Sequence, residues 1–237
     1  MYSTMDIALA PQTLAAMELF QGLAVSALET IAARTRVRRL SKDLRIFSQG
    51  DEEVRAHAVI EGGVRITQSG SDGAQVVIRF IGSGEMFGTV SLFTDGRYPA
   101  DAITLAETLE ASWSEAELLD LIHRHPQIGV NVIRIIGRRL QEVQERVREL
   151  ATQRAERRVA HALLRLARQA GHSTIDGTAI EFPLRRKDVA DISGTTLHTA
   201  SRILTSWEKA GFLTTRDRRL TIRHPSEILR ISEEASD

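Results

Sequence analysis

The spacing of apolar residues changes character several times along the chain. From Leu14 to Ala33 apolar residues recur at helical spacing, which predicts a helix near the start. Between Val37 and Ser112, short runs rich in β-branched residues alternate with turn clusters that contain glycine. Short strands separated by regular turns are typical of an all-β sandwich or barrel. This stretch is therefore predicted to form an antiparallel β-roll.

A long helix is predicted to run from Pro126 to about Thr152, after a shorter helix that begins at a Ser114–Glu117 capping box. One set of its apolar residues is separated alternately by three and four positions. A repeat of about 3.5 residues gives a narrow stripe, which two helices bury against each other in a coiled coil. We interpret this stripe as a dimerisation seam, formed by Ile133, Ile136, Leu140, Val143, Val147 and Leu150. The alternative is an amphipathic helix that packs on its own domain, but such a helix usually has a broader apolar face.

The last third of the chain has the element order of a winged helix-turn-helix. A helix is predicted to end at Gly171, with a loop from His172 to Gly177 after it. Two helices with Gly194 between them follow, and Phe212 to Ile222 is predicted to form a hairpin. A helix, a strand, a helix-turn-helix and a wing in this order favour a DNA-binding domain.

The helix-turn-helix has a specific requirement at two positions. Ala190 is a small residue that lets the second helix approach the first, and Gly194 can adopt the positive φ that the turn needs. The first turns of the second helix are expected to enter the major groove, because recognition helices present their N-terminal residues to the bases. The expected base-reading side chains are Thr196, Leu197, His198, Thr199, Ser201 and Arg202.

Basic residues flank this predicted recognition helix on both sides. Arg185 and Arg186 begin the first helix of the motif, and Arg218 lies in the predicted wing. Such positions usually contact phosphates. Two motifs held together by the seam would read half-sites about 34 Å apart, so a palindromic double-stranded DNA site is expected.

The distribution of charge along the chain indicates two parts that interact with different partners. Residues 1–125 contain 11 Lys and Arg against 17 Asp and Glu, whereas residues 126–237 contain 20 against 14. A basic half suits nucleic acid and an acidic half suits a separate sensor. The chain has no cysteine, which excludes disulfides and cysteine-ligated metal sites. It shows neither a signal peptide pattern nor a membrane-length apolar run, so a cytoplasmic location is expected.

An enzyme is the main alternative class. A β-roll can hold a catalytic metal, but this needs several histidine and carboxylate ligands, and His57 is the single histidine of the predicted roll. The sequence also lacks a G-x-S-x-G elbow and a G-x-x-x-x-G-K phosphate loop. The protein is therefore not expected to be an enzyme. His57 is expected to be a hydrogen-bonded structural residue, with a metal-ligand role as the alternative.

Several segments resemble the Crp/Fnr family of bacterial transcription regulators, and the likeness covers essentially the whole chain. They are Leu19–Leu23, Ile46–Asp51, Gly62–Ile66, Gly84–Gly88, Val189–Thr196 and Thr199–Leu204. The resemblance implies an α+β fold with a β-roll sensor domain at 1–125, a dimerisation helix at 126–153 and a winged helix-turn-helix at 154–237. It also implies a homodimer that binds DNA and works with RNA polymerase.

The resemblance places an effector pocket at Phe87, Gly88, Thr89, Pro99 and Ala100. Members that bind cyclic AMP carry a glutamate where this chain has Thr89, and an Arg-Ser pair where it has Pro99-Ala100. Arg97 lies nearby but out of register. A cyclic phosphate needs a positive charge or a nest of amides, so cyclic AMP is not expected. A cyclic nucleotide held by other residues is the alternative.

The segments 97–100 and 195–202 are most similar to the cysteine-free, nitric-oxide-responsive branch of the NnrR and Dnr type. That branch implies nitric oxide as the effector and haem as a possible cofactor, with histidine as the natural iron ligand. His198 stands where many members have a glutamate that reads a C·G pair. Arg202 is expected to bind guanine in a bidentate manner.

Overall fold

The computed structural model describes residues 9–233, and its N-terminal half contains two antiparallel four-stranded sheets. The strands are β1 (Arg36–Leu40), β2 (Arg45–Phe47), β3 (Arg55–Glu61), β4 (Val64–Ser69), β5 (Gln75–Ile81), β6 (Met86–Phe87), β7 (Asp101–Thr104) and β8 (Thr108–Ser114). One sheet has the order β1-β8-β3-β6 and the other β2-β7-β4-β5. The predicted β-roll is confirmed. Residues 1–8 and 234–237 of the expected domains lie outside the described residues.

Helices surround the roll and form most of the C-terminal half. They are α1 (Pro11–Ala15), α2 (Val25–Ala32), α3 (Glu115–Arg124), α4 (Pro126–Thr152), α5 (Ala155–Ala170), α6 (Arg186–Ser193), α7 (Leu197–Lys209) and α8 (Pro225–Glu233). A third sheet has the order β11-β12-β10-β9, from β9 (Gly171–Thr174), β10 (Gly177–Ile180), β11 (Leu213–Arg216) and β12 (Arg219–Ile222). The predicted fold class, a β-roll followed by a long helix and a winged helix-turn-helix, is confirmed.

Two local predictions are wrong. The expected single helix from Leu14 to Ala33 is broken, because Gly22 has a φ of 80° and only a short 3₁₀ turn at Glu18–Phe20 precedes it. The expected loop from His172 to Gly177 is instead part of the hairpin of β9 and β10. In both segments the local sequence favours no single secondary structure strongly, so packing on neighbouring elements decided their conformation.

The long helix α4 has two apolar faces rather than one. Ile128, Val132 and Ile135 are buried in the core of the first sheet together with Trp113. The seam residues lie on the other face and are between 43% and 71% exposed in the single chain. The inner face attaches the helix to its own β-roll, which leaves the seam available to another molecule.

The C-terminal domain shares a hydrophobic core with strand β5. Val77 and Phe80 belong to the same buried cluster as the residues of α5, α6 and α7. The ring of Phe182 stacks on that of Phe80, with centroids 5.2 Å apart. Since β5 is an edge strand, its outer side is covered by the DNA-binding domain rather than left open.

Candidate DNA interface and effector cavity

The turn between α6 and α7 needs glycine for two reasons. Gly194 has a φ of 62° and a ψ of 42°, the left-handed conformation that side chains disfavour. A Cβ at this position would also lie 2.2 Å from Cδ2 of Leu150, the last seam residue. Ala190 is buried between the two helices, as predicted. The turn therefore fixes α7 against α6 and touches the end of the long helix.

The residues predicted to read bases lie together at the N-terminal end of α7. The hydroxyl of Thr196 caps the helix by accepting a hydrogen bond of 3.1 Å from the backbone amide of Thr199. Thr196, Leu197, His198 and Arg202 are exposed, whereas Thr199 and Ser201 are half-buried. The buried side of the helix contains Ala200, Ile203, Leu204 and Trp207. One face of α7 is thus used for packing and the opposite face is polar and open.

The flanking arginines have different environments. Arg218 is exposed at the tip of the β11–β12 hairpin, where Asp217 and Arg218 have φ angles of 50° and 64°. Two successive positive φ angles are typical of a type I′ turn. This geometry presents Arg218 outward from the wing.

Arg185 and Arg186 are bonded within the motif itself. Arg185 donates to the buried carboxylate of Asp188 at 2.8 Å. Arg186 lies between the two helices, where it donates to the backbone oxygen of Ser201 and to the carboxylate of Glu208, both at 2.9 Å. The bonds of Arg186 fix α6 to α7, a role that sequence reasoning missed because the partners lie up to 22 residues away.

The five residues predicted to form an effector pocket line one cavity of about 660 Å³. The cavity lies between the second sheet, the long helix α4 and helix α5. Phe87, Gly88 and Thr89 border it on one side, and Pro99 and Ala100 on another. Ligand sites are commonly concavities of about 300–1,000 Å³, so the volume suits a small molecule.

The positions that the resemblance assigns to a cyclic phosphate carry no charge in this chain. Thr89 and Ala100 are uncharged, and Pro99 has no amide proton to donate. Arg97 does not border the cavity, and its guanidinium lies 2.5 Å from the carboxylate of Glu52. The residues at these positions therefore offer a phosphate no compensating charge.

A buried polar network lies beneath one side of the cavity. Nδ1 of His57 is hydrogen-bonded to the carboxylate of Glu110, which also accepts from Arg38 at 2.8 Å. Nε2 of His57 lies 3.0 Å from the hydroxyl of Tyr98, and the tyrosine ring stacks on Phe47. Tyr98 and Phe47 both border the cavity. The network thus holds two of the aromatic walls in place, through partners that no local pattern indicates.

Burial and hydrogen bonding together shift the pKa values of this network. Burial lowers the pKa of His57 below its ordinary value, although the hydrogen bond and the charge of Glu110 oppose the shift. Burial alone would raise the pKa of Glu110, but the bonds from His57 and Arg38 outweigh it, and the pKa is lowered. A neutral His57 therefore donates from Nδ1 to an ionised Glu110, and its Nε2 faces the hydroxyl of Tyr98, whose single proton lies between two acceptors, Nε2 at 3.0 Å and the backbone oxygen of Arg55 at 3.1 Å.

The surroundings of His57 do not fit a haem ligand. An iron ligand needs a free ring nitrogen, but the nitrogens of His57 face Glu110 and Tyr98. The side chain is also enclosed, because its ring stacks on Phe87. Within residues 9–233, no group of three or more histidine, aspartate or glutamate side chains could hold a metal ion. These contacts favour the expected structural role of His57 over the alternative of a metal ligand.

Acid is expected to destabilise the protein through His57. Because its pKa is lower in the folded chain than in the unfolded chain, the unfolded chain binds the proton first, and stability falls as the pH drops below about 6.5. Glutamine can make the same two hydrogen bonds without titrating. The urea midpoint of His57→Gln should therefore depend less on pH between about 7 and 5.5 than that of the wild type.

The control is His123→Gln, because His123 is exposed, and the urea midpoint of this variant should depend on pH as that of the wild type does. If the midpoint of His57→Gln also depends on pH as in the wild type, His57 is not the group that destabilises the protein in acid.

Family models match both halves of the chain. A cyclic nucleotide-binding domain matches residues 37–125, and a Crp-like helix-turn-helix domain matches residues 157–231. In the part of the chain that the structure describes, no helix is long and apolar enough to span a membrane.

Relatives and solved structures agree with these matches. A cyclic AMP receptor protein of Thermus thermophilus is 31% identical over 81% of this chain and 86% of its own length. A CRP-like cAMP-activated global transcriptional regulator of Mycobacterium tuberculosis is 25% identical, over 85% of this chain and 90% of its own. The structure of FixK2 from Bradyrhizobium japonicum has the same fold, with a TM-score of 0.74 and 22% identity over 85% of this chain and 99% of that one. The relatives are regulators and not enzymes, as predicted, and this chain belongs to the Crp/Fnr family of transcriptional regulators.

Proposed function

We propose that the protein is a homodimeric regulator that binds palindromic DNA in the cytoplasm, works with RNA polymerase and responds to an uncharged small effector. The observation that carries the proposal is the open face at the start of α7, where Thr196, His198 and Arg202 are exposed. A recognition helix contacts bases with this part of its surface. DNA binding by a Crp/Fnr regulator follows from the family, whereas the base-reading residues and the effector class are proposed from this chain.

The dimer is proposed from the seam of α4. Six large apolar side chains are exposed along one line of a 27-residue helix, whose neighbouring face is already buried. Exposed apolar stripes of this kind are buried by association. A parallel pair of these helices would bring two recognition helices to one duplex, and a palindromic site would match the two-fold symmetry.

Replacing Arg202 with alanine is expected to relax base preference. Losing a bidentate contact to guanine costs about 1–3 kcal/mol at one base-pair position and leaves the others unchanged. A site would first be selected from a randomised duplex library, and affinity would then be measured for each single-base change. The matched control is Arg218→Ala, which should weaken all duplexes alike and reduce the salt slope by about one unit. If Arg202→Ala keeps the wild-type preference at every position, Arg202 does not read a base.

A cyclic nucleotide is the second candidate effector. The match to a cyclic nucleotide-binding domain and the names of the relatives favour it. The uncharged residues at Thr89, Pro99 and Ala100 favour the uncharged effector instead. Calorimetric titration with cyclic AMP and cyclic GMP separates the two. We expect that neither nucleotide binds with a dissociation constant below the millimolar range. A dissociation constant in the micromolar range would establish a cyclic nucleotide as the effector.

Nitric oxide is uncharged and stays within the proposed class of effectors. The resemblance also implies haem, but the surroundings of His57 do not fit it, so we propose no step through haem. An anaerobic titration with haem tests this point by absorbance. We expect no saturable spectrum at one haem per chain; a saturable spectrum that nitric oxide shifts would show a haem site elsewhere.

A further inference from the structure

Only two residues separate the long helix α4 from helix α5. Gln153 has a φ of −112° and a ψ of 148°, and Arg154 has a φ of −66° and a ψ of 154°. Both residues are extended, so the helix does not continue from α4 into α5. The direction of the DNA-binding domain relative to the long helix therefore depends on the backbone at this junction and on the contacts that hold it.

The side chain of Arg158, near the start of α5, connects this junction to the helix-turn-helix. Its three nitrogens donate to the backbone oxygens of Gln153 at 2.6 Å, Ser193 at 2.9 Å and Gly194 at 3.0 Å. Ser193 is the last residue of α6, and Gly194 forms the turn before α7. A guanidinium is a rigid planar group with five N–H donors, so it can hold several oxygens in one fixed geometry.

The C-terminal end of α6 is a favourable place for such a cation. The last carbonyls of a helix lack partners within the helix and carry the negative end of its dipole. A second arginine, Arg146 of α4, donates to the oxygen of Asp191 at 3.0 Å. The end of α6 is thus bonded to both α4 and α5. Since α7 begins at Leu197, soon after the turn, the position of the recognition helix follows that of the turn.

We propose that Arg158 is a positioning residue that sets how far apart the two recognition helices of the dimer lie, and thereby the spacing of the DNA half-sites. The proposal rests on the proposed function, because it requires a dimer on a palindromic site. One base pair added between two half-sites moves them about 3.4 Å apart and rotates one by about 35° relative to the other. A dimer with a rigid junction cannot follow both changes, whereas a dimer whose junction bends can.

Replacing Arg158 with lysine keeps the positive charge and removes the triple hydrogen bond. Affinity would be measured for the palindrome that the wild type selects, and for two duplexes with one base pair added to or removed from its centre. The wild type should bind each altered duplex at least about tenfold more weakly, as for a mismatched base pair. Arg158→Lys should bind them no more than about threefold more weakly than the palindrome, because its single nitrogen leaves the junction free to adjust.

Base preference within a half-site separates positioning from a purely structural role. At the original spacing, Arg158→Lys should respond to each single-base change as the wild type does, because Arg186 still bonds α6 to α7. The matched control is Arg148→Lys, since Arg148 is exposed on α4, and this variant should reject the altered spacings as the wild type does.

Three outcomes would overturn the proposal. The first is a wild-type response of Arg158→Lys to spacing, and the second is an equal relaxation in Arg148→Lys. The third is a loss of base preference together with the response to spacing, which would show that Arg158 shapes the motif itself.

Urea unfolding shows whether each variant is folded, and Arg158→Gln, which shortens the side chain and removes its charge, is measured beside Arg158→Lys. Both variants should fold and accept the altered spacings. If neither folds, Arg158 stabilises the domain instead of positioning it, and the proposal is overturned. A wild type that stays monomeric or selects no palindrome would contradict the proposed function. A wild-type dimer with strict spacing that Arg158→Lys leaves unchanged would contradict the positioning role alone.

Discussion

Replacing Ile136 and Val143 together with lysine is expected to convert the protein into monomers and to weaken specific DNA binding about a thousandfold. Each subunit would lose two apolar seam residues and would bring two charges into an interface that offers them no partners. A monomer contacts one half-site, and specific sites are bound at least about 10³ times more tightly than non-specific DNA. Light scattering gives the mass in solution, and titration of a selected duplex gives the affinity.

The same double substitution should leave the fold of each chain intact. Both side chains are exposed in the single chain, at 43% and 59%, so no core contact is lost. A matched control places lysines on the outer face of the same helix, as Gln141→Lys with Glu145→Lys. This control adds three positive charges instead of two and should remain dimeric. A dimer formed by the seam variant, or monomers formed by both variants, would remove the seam from the explanation.

Replacing Phe182 with alanine is expected to destabilise the protein by about 3–5 kcal/mol, the usual loss for a large aromatic residue in a core. The side chain is 1% exposed and stacks on Phe80 of the β-roll. It also packs against Gly63, where a Cβ would lie 2.7 Å from Cδ1 of the ring. The missing ring would leave a cavity where the two domains meet, and the glycine backbone has no side chain to fill it.

Urea unfolding measures this effect as a lower midpoint. Phe93 is the matched control, because its ring is 46% exposed, and Phe93→Ala should cost about 0.5 kcal/mol or less. Similar losses from the two substitutions would show that Phe182 does not connect the domains as its position indicates. A change in the slope of the transition as well as the midpoint would show that the domains no longer unfold together.

The two substitutions test two different contacts: the proposed contact between two chains and the contact between the two domains of one chain. The seam is proposed to join two chains, whereas Phe182 packs between the two domains of one chain, against Phe80 of β5.

Patterns that depend on near neighbours were predictable from the sequence. The capping box of α3 is present, with the hydroxyl of Ser114 accepting from the amide of Glu117 at 3.3 Å. Gly194 has the positive φ that its place between two helices required. The spacing of the seam residues, the alternation of short strands and turns in the β-roll, and the order of the elements were also predictable from the sequence. Each of these depends on contacts within a few positions or on a simple repeat, and the sequence alone specifies such features.

Only the tertiary structure decided which distant side chains meet. His57 and Glu110 are 53 positions apart, and Arg65 and Asp188, which connect the two domains at 3.4 Å, are 123 apart. Nothing local to His57 indicates that its ring nitrogens face Glu110 and Tyr98, or that Arg186 joins two helices. The full extent of the cavity likewise follows from how the sheets, α4 and α5 pack together. The sequence by itself therefore determined the family and most of the elements, whereas packing between distant segments decided the shape of the cavity and the partners of the buried polar side chains.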